Sequence, residues 1–509
     1  MVKIEKKSFS IFQELAGITK TGEKKIFRNI LNDFVNCICQ LYKIQKKIIV
    51  QKNDYSIELY NFLIKLGVIR NVDEIYKLKI VLDKDFDVIM SVLSEYLSLN
   101  EMIDTNLMKY MDYYREKAMI EYYKDTKSPT VVDFFCGSGG MSLGFYQNGF
   151  KTLLANDIED VCTETYSFNH SEVPKERIIT GDIKEIVDKI DEYINDEVDV
   201  IIGGPPCQGF SMANRQRLID DPRNVLYKYY VRGVEKIKPK FFVMENVAGM
   251  ISVADQVIED FHNLKGADYD VCYHVFNASD FSVPQNRKRL IYIGIRSDIS
   301  ERLQINAKEI IKEIESYAEG MEKYVLQDAI GDLRELQPLR IRNSTKMDTE
   351  ESGKKIECNR SKASSAYADL INQGSRNTLI FNHKTRYNND RDIEIFARML
   401  PGDKSDSERI ADIMPYTSRS DIFKDKYYKL IPNRICKTIT AHMKFDCNMY
   451  IHPNQARGLS PREAARVQSY PDNYFFLGPY TKTYMQIGNS VPPLMSNAIA
   501  DILRRYLRR

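Results

Sequence analysis

From about Pro129 the chain alternates short β-rich runs with helical stretches, and this alternation narrows its fold more than any other feature. The runs are Thr130–Phe135, Lys151–Ala155, Arg177–Thr180, Val198–Ile202, Lys240–Met244, Tyr273–Phe276 and Leu290–Ile295. Each of the first five runs into a small, acidic or glycine residue. That grammar predicts a doubly wound α/β sheet, which binds its ligands at the carboxyl ends of the strands.

The remaining segments read differently. Residues 1–127 contain no proline, and apolar residues recur at helical spacing in Ile26–Ile38, Ile57–Leu66 and Val88–Leu97. A separate, mostly helical extension is expected there. Its charge is lopsided: 15 basic and 8 acidic residues in 1–79, against 6 basic and 10 acidic in 80–127. Residues 128–300 form the α/β domain. Residues 301–433 open with a helical stretch, Ile305–Tyr324, then break into a polar segment, Ser344–Ser375, expected to be long loops on an irregular domain. In 434–509, Ser460–Gln468 reads as a short helix opened by a capping box, and Pro492–Leu507 as a last helix.

At 509 residues the chain can bury several cores. A formal net charge of +2 excludes a uniformly basic coat but permits local basic patches, such as the 11 basic and 7 acidic residues of 338–392. No apolar run reaches the roughly 18 residues of a membrane span, so a soluble, cytoplasmic protein is expected. The nine cysteines form no CxxC pair. A zinc framework or disulfide scaffold is therefore not expected, and one thiol is free to act as a nucleophile.

Five constellations carry the chemistry, the last of them Gln486-Ile-Gly-Asn-Ser-Val491, a tight turn before a helix. Asp133-Phe-Phe-Cys-Gly-Ser-Gly-Gly140 follows a strand and opens a helix; its glycines allow close backbone approach to a ligand. Taken alone, such a turn is as often a tight connection with no ligand. With Asp157 and Asp182, however, Asp133 would make three acids at three consecutive strand ends. Gly203-Gly-Pro-Pro-Cys-Gln-Gly-Phe-Ser211 closes the fourth strand and seats Cys207 on a loop stiffened by two prolines. Met244-Glu-Asn-Val247 closes the fifth strand and brings Glu245 to the same edge, where a buried carboxyl can donate a proton. Gln285-Asn-Arg-Lys-Arg289 precedes a strand, and alternation puts Arg287 and Arg289 on one face. Read singly, these are also helix caps, an inert thiol and a solvated basic turn.

Taken in order, DFFCGSGG, GGPPCQGFS, MENV, PQNRKR, GLSPREAARVQSYPD and QIGNSVPP make the chain resemble the DNA (cytosine-5) methyltransferases of bacterial restriction–modification systems. The resemblance implies an S-adenosylmethionine-dependent methyltransferase sheet, an irregular target-recognition domain in 301–433, and a helical extension outside the family's shared part. It assigns the cofactor to Phe135, Gly137, Ser138, Gly139, Gly140, Asp157, Ile158, Asp182, Ile183, Pro205, Asn489 and Val491. Relatives often carry Trp where Ile158 stands, so stacking on that side of the adenine is expected to be weaker. It makes Cys207 the nucleophile, Glu245 the acid at cytosine N3, and Arg287 and Arg289 the cations beside the base. Gln208, Ser211 and Asn246 are expected to contact the flipped-out base, since its reacting atoms are unreachable inside a duplex. No metal is implied. The implied partners are double-stranded DNA with a specific recognition sequence and a cognate restriction endonuclease encoded nearby, with the enzyme itself a monomer. An RNA methyltransferase on the same scaffold is the first alternative, although the CFT tripeptide of transfer-RNA-acting relatives is absent. A regulator without catalysis is the second, against which Cys207, Glu245 and the cofactor acids argue.

Overall fold

The computed structural model describes residues 55–65, 69, 71–82, 86–87, 90–91, 93–94, 122–170, 172–206, 225–342, 349–357, 364–372, 380–415 and 426–508. The seven β-rich runs all become strands of one sheet: β1 (Thr130–Phe134), β2 (Lys151–Asp157), β3 (Ile178–Thr180), β4 (Val200–Gly203), β5 (Phe241–Val247), β6 (Tyr269–Asn277) and β7 (Lys288–Arg296). Their order is β3-β2-β1-β4-β5-β7-β6. The first five are parallel, and β7 runs antiparallel to both β5 and β6. Strand order reverses between β1 and β4, so a crevice opens at their carboxyl ends.

Side-chain alternation builds a core on each face. Val131, Val200, Phe241, Val243, Ile291 and Ile293 face helices α1 (Gly140–Gln147), α6 (Ala307–Glu319) and α9 (Pro493–Leu507). Val132, Phe134, Ile201, Phe242, Met244 and Tyr292 face α3 (Ile183–Asp188), α4 (Val225–Ile237) and α5 (Ala254–His262). Between β2 and β3 lies α2 (Asp160–Asn169). Ser496 Oγ in α9 donates to Met141 O in α1 at 2.6 Å, so the end of the chain closes over the first crossover.

The helix predicted over 57–66 appears as Ile57–Lys65, and a second follows at Ile75–Leu82. The stretch 26–38 lies outside the described residues, as does most of 88–97. Residues 122–125 pack along β2: the Tyr122 hydroxyl donates to Thr152 O at 2.8 Å, and Lys151 Nζ sits 4.4 Å from the Tyr122 ring centre.

The polar segment expected as long loops contains regular structure. Gly353–Glu357 pairs antiparallel with Ile380–Lys384, and Ser365 caps a helix, Ala366–Ile371, by accepting from Ala368 N at 3.0 Å. The serine read as loop composition serves as a helix start signal. This region is stitched to α7 (Pro461–Val467), where the capping box forms between Ser460 and Glu463. Arg462 Nε donates to Phe381 O at 2.6 Å, and His383 Nδ1 meets Ser460 Oγ at 3.1 Å.

One buried group beside α7 gives the fold a pH signature. His452 is 4% exposed and accepts from Asn454 N at Nδ1, 3.1 Å away. Burial, with Arg457, His383 and Lys429 adding to it and Glu463 opposing, pushes the imidazole down from 6.5 to about 3. The unfolded chain therefore binds a proton that the folded chain refuses. The stability from this group is complete above about pH 6.5 and is lost as pH falls from there. Between pH 6.5 and 5, unfolding free energy should drop by up to about 1.4 kcal/mol per pH unit more than in His452→Asn, which keeps an acceptor for Asn454. Denaturant titrations with the same pH slope in both proteins would remove His452 from this role.

Candidate active site

The crevice is built first by the β1–α1 turn. Phe135 (φ 58°), Gly137 (φ 53°) and Gly139 (φ 89°) are all left-handed. Phe135 bears that conformation with a side chain, at a cost of about 1–2 kcal/mol. The turn is held by Cys136 N donating to Asn156 O at 2.8 Å and Gly137 N donating to Asp157 Oδ2 at 2.9 Å. A Cβ on Gly140 would lie 2.5 Å from both Tyr470 OH and Val491 O, whereas one on Gly137 would meet nothing within 4 Å. The turn is therefore packed beneath and open above, a cradle that admits a ligand against bare backbone.

The residues expected to hold the cofactor differ in exposure and partners. Asp157 uses its other oxygen on Glu159 N at 2.9 Å, and burial raises its carboxyl against the pull of these amides. Ile158 is 69% exposed. Asp182 is exposed and caps α3 through Lys184 N at 2.9 Å, which leaves its second oxygen to face outward. Asn489 is exposed, while Ile183, Pro205 and Val491 are buried. Ser138 Oγ is 3.3 Å from Ser490 Oγ. Asp133 does not join the three-acid edge. It is 1% exposed, accepts from Ser142 Oγ at 2.6 Å, and burial pushes its carboxyl up to about 8, so it belongs to the interior beneath α1.

On the other side of the crevice, Asn246 Nδ2 holds Pro205 O at 2.9 Å, fixing the backbone just before the nucleophile loop. Asn246, expected to contact the base, is 4% exposed. Gly204 leaves room for Glu245: a Cβ there would lie 2.8 Å from Glu245 Oε2. Glu245 Oε1 pairs with Arg289 Nε at 2.6 Å. Cys207, Gln208 and Ser211 lie outside the described residues. The five described cysteines, Cys136, Cys162, Cys272, Cys436 and Cys447, are free, and burial pushes each thiol up.

Arg287, expected beside the base, is fully buried, whereas Arg289 is half-buried. Arg287 donates from Nη1 to Ile439 O at 2.7 Å and from Nη2 to Gly488 O at 3.0 Å and Ser490 O at 2.8 Å. Burial, reinforced by Arg289 and opposed by Glu245, brings its guanidinium down to about 9. Its fork is occupied by backbone, so Arg287 ties the turn before β7 to α8 (Tyr480–Asn489) and the segment after it.

Residues not singled out in the sequence complete this tie. Gln285 donates to Gln468 Oε1 at 3.0 Å and accepts from Ile439 N at 2.8 Å, and Gln468 donates to Ile487 O at 2.7 Å. Tyr470 donates to Ser490 Oγ at 2.7 Å. Their partners lie far apart along the chain, so only the motif strings QNRKR and VQSYPD marked them. Among the described residues no group of three or more His, Cys, Asp or Glu is placed to hold a metal, and no helix is long and apolar enough to cross a membrane.

A family profile described as C-5 cytosine-specific DNA methylase matches residues 129–505. The type II methyltransferase M.DdeI of Desulfomicrobium norvegicum is 34% identical over 406 residues, covering 74% of this chain and 88% of its own. M.XorII of Xanthomonas oryzae pv. oryzae is 32% identical over 398 residues, covering 75% and 86%. A solved E. coli structure, assigned as a DNA modification methyltransferase encoded within a prophage, shares 25% identity with a TM-score of 0.55 over 75% of this chain and 100% of its own.

Proposed function

The chain belongs to the C-5 cytosine-specific DNA methylase family, and from that premise we propose how its residues divide the work. It is a DNA (cytosine-5) methyltransferase of restriction–modification type. The observation that carries the residue assignment is Glu245, held by Arg289 and set against Gly204, three residues before Cys207.

The cofactor is S-adenosylmethionine, which when bound supplies an electrophilic methyl group. The cradle fits it: open backbone at Gly137 would take the methionine end, Asp157, Ile158 and Asp182 would hold the nucleoside, and Asn489 and Val491 would close the site. Cytosine C5 is a weak nucleophile. The Cys207 thiolate adds to C6, and the displaced electron pair makes C5 an enamine carbon. Glu245 gives its proton to N3, which stabilises the adduct. After C5 is methylated, a base takes the C5 proton, N3 returns its proton to Glu245, and the C6–sulfur bond breaks with its electron pair going to Cys207. Arg289 positions Glu245, and Arg287 positions the chain around both. Gln208 and Ser211 close over the flipped base. Residues 301–433 choose the target sequence, and 1–127 form a separate extension. The enzyme works as a cytoplasmic monomer on duplex DNA, beside a cognate endonuclease.

Labelled methyl transfer to DNA and to RNA in parallel tests this reading. The expected product is 5-methylcytosine in DNA; label in RNA alone, or on cytosine N4, contradicts it. Asp182→Asn tests the cofactor half. Asparagine caps a helix as well as aspartate does, so α3 stays intact while the carboxylate is lost. S-adenosylmethionine binding should weaken by about 1–2 kcal/mol by calorimetry; unchanged affinity would mean the adenine is held elsewhere.

A further inference from the structure

We propose that Tyr474, His170 and Glu172 form a positioning clamp on the cofactor turn that sets affinity for S-adenosylmethionine through the Ser138 carbonyl. This rests on the cofactor reading above. The Tyr474 hydroxyl donates to Ser138 O and also meets His170 Nε2 at 3.2 Å, while His170 Nδ1 meets Glu172 Oε1 at 2.9 Å. Tyr474 is 3% exposed and His170 1%, and burial keeps the phenol pushed up, a donor rather than an anion.

The contact with Ser138 fixes the use of the phenol hydrogen. Tyr474 has one hydrogen, and it goes to a carbonyl that can only accept. The Tyr474 oxygen also meets the Nε2 edge of His170, whose Nδ1 is held in turn by Glu172. Glu172 thus acts on the turn only through His170.

The clamp sits directly under the left-handed residue of the turn. A Cβ on Gly139 would lie 2.7 Å from both His170 Nε2 and Tyr474 OH. The imidazole plane is set by stacking on Tyr166, with centroids 4.4 Å apart. The register between the two segments is locked one residue away: Asn169 Nδ2 donates to Phe475 O at 2.9 Å, and Phe475 N donates to Asn169 Oδ1 at 2.8 Å. The turn is gripped at 138–139 and open at 137, so the clamp acts on the face opposite the ligand.

Steady-state kinetics of Tyr474→Phe, Glu172→Gln, the double variant and Asp182→Asn test it on the whole enzyme. Tyr474→Phe should raise KM for S-adenosylmethionine about tenfold. Glu172→Gln should raise it about threefold, and the double variant no further than Tyr474→Phe alone. KM for DNA and kcat should stay within about twofold, a split that general loosening of the fold does not give. Additive effects, or kcat falling together with both KM values, overturn the clamp. So does an unchanged cofactor KM in Tyr474→Phe while Asp182→Asn raises it. If Asp182→Asn also leaves it unchanged, the cofactor site itself is misplaced and the clamp falls with it.

Discussion

Cys207→Ser should lower turnover roughly a thousandfold or more while S-adenosylmethionine binding and the fold persist. A hydroxyl attacks C6 only if a base removes its hydrogen, and the charged groups proposed for the site are already engaged. Glu245 is paired with Arg289, and both ends of the Arg287 fork hold backbone carbonyls. A thiol needs far less help, since an appreciable fraction ionises near neutrality. The described cysteines offer no substitute, because burial disfavours the thiolate at each of them. Cys136→Ser, in the cofactor turn, should retain the covalent step. Activity in Cys207→Ser within about tenfold of wild type, measured as initial rate on DNA, would assign the nucleophile elsewhere.

Arg466→Met should destabilise the protein by about 3–5 kcal/mol, the loss expected when a buried ion network is left with its acids uncompensated. Arg466 is fully buried. Its Nε and Nη2 meet the two carboxylate oxygens of Asp472 at 2.6 and 2.7 Å, and Nη1 donates to Ala329 O at 2.9 Å and to Asp332. Asp472 in turn accepts from Asn372 Nδ2 at 2.9 Å. One guanidinium therefore joins the C-terminal segment to residues 329–332 and, through Asp472, to 372. Denaturant unfolding should show the loss as a lower midpoint, with partial recovery when Asp472→Asn and Asp332→Asn are added. A midpoint unchanged by Arg466→Met would mean that the apolar contacts around α7 hold these segments unaided.

The central strands are legible because burial on both faces writes itself as apolar runs, whereas edge strands β3 and β6 are marked by shorter, mixed ones. Strand ends are less legible: β2 runs on to Asp157, and β6 starts at Tyr269, four residues before the run that marked it. The early residues of edge strand β6 alternate, Tyr269 and Val271 buried with Asp270 and Cys272 half-buried between and after them, so they make no continuous apolar run. At the site, residue types were readable and burial was not. Asp133 and Asp157 look alike in sequence, but Asp133 lies one residue before the end of β1 and points under α1, whereas Asp157 ends its strand at the turn. Arg287 and Arg289 share a parity, yet carbonyls of Ile439, Gly488 and Ser490, 152 to 203 residues onward, claim only Arg287. Nothing local to 285–289 foretells such partners. The same holds for Tyr474, which reaches Ser138 across 336 positions.

Covalent trapping tests the central claim most directly. Fluorine at C5 cannot leave as a cation, so an enzyme that attacks C6 should stall after methyl transfer. Duplex DNA carrying 5-fluorocytosine at the target should become bound in a complex that survives denaturation, requires S-adenosylmethionine, and maps by mass spectrometry to the peptide containing Cys207. Cys136→Ser should trap as wild type does, and Cys207→Ser should not. A denaturation-resistant complex that persists in Cys207→Ser, or an active enzyme that never forms one, would contradict the account.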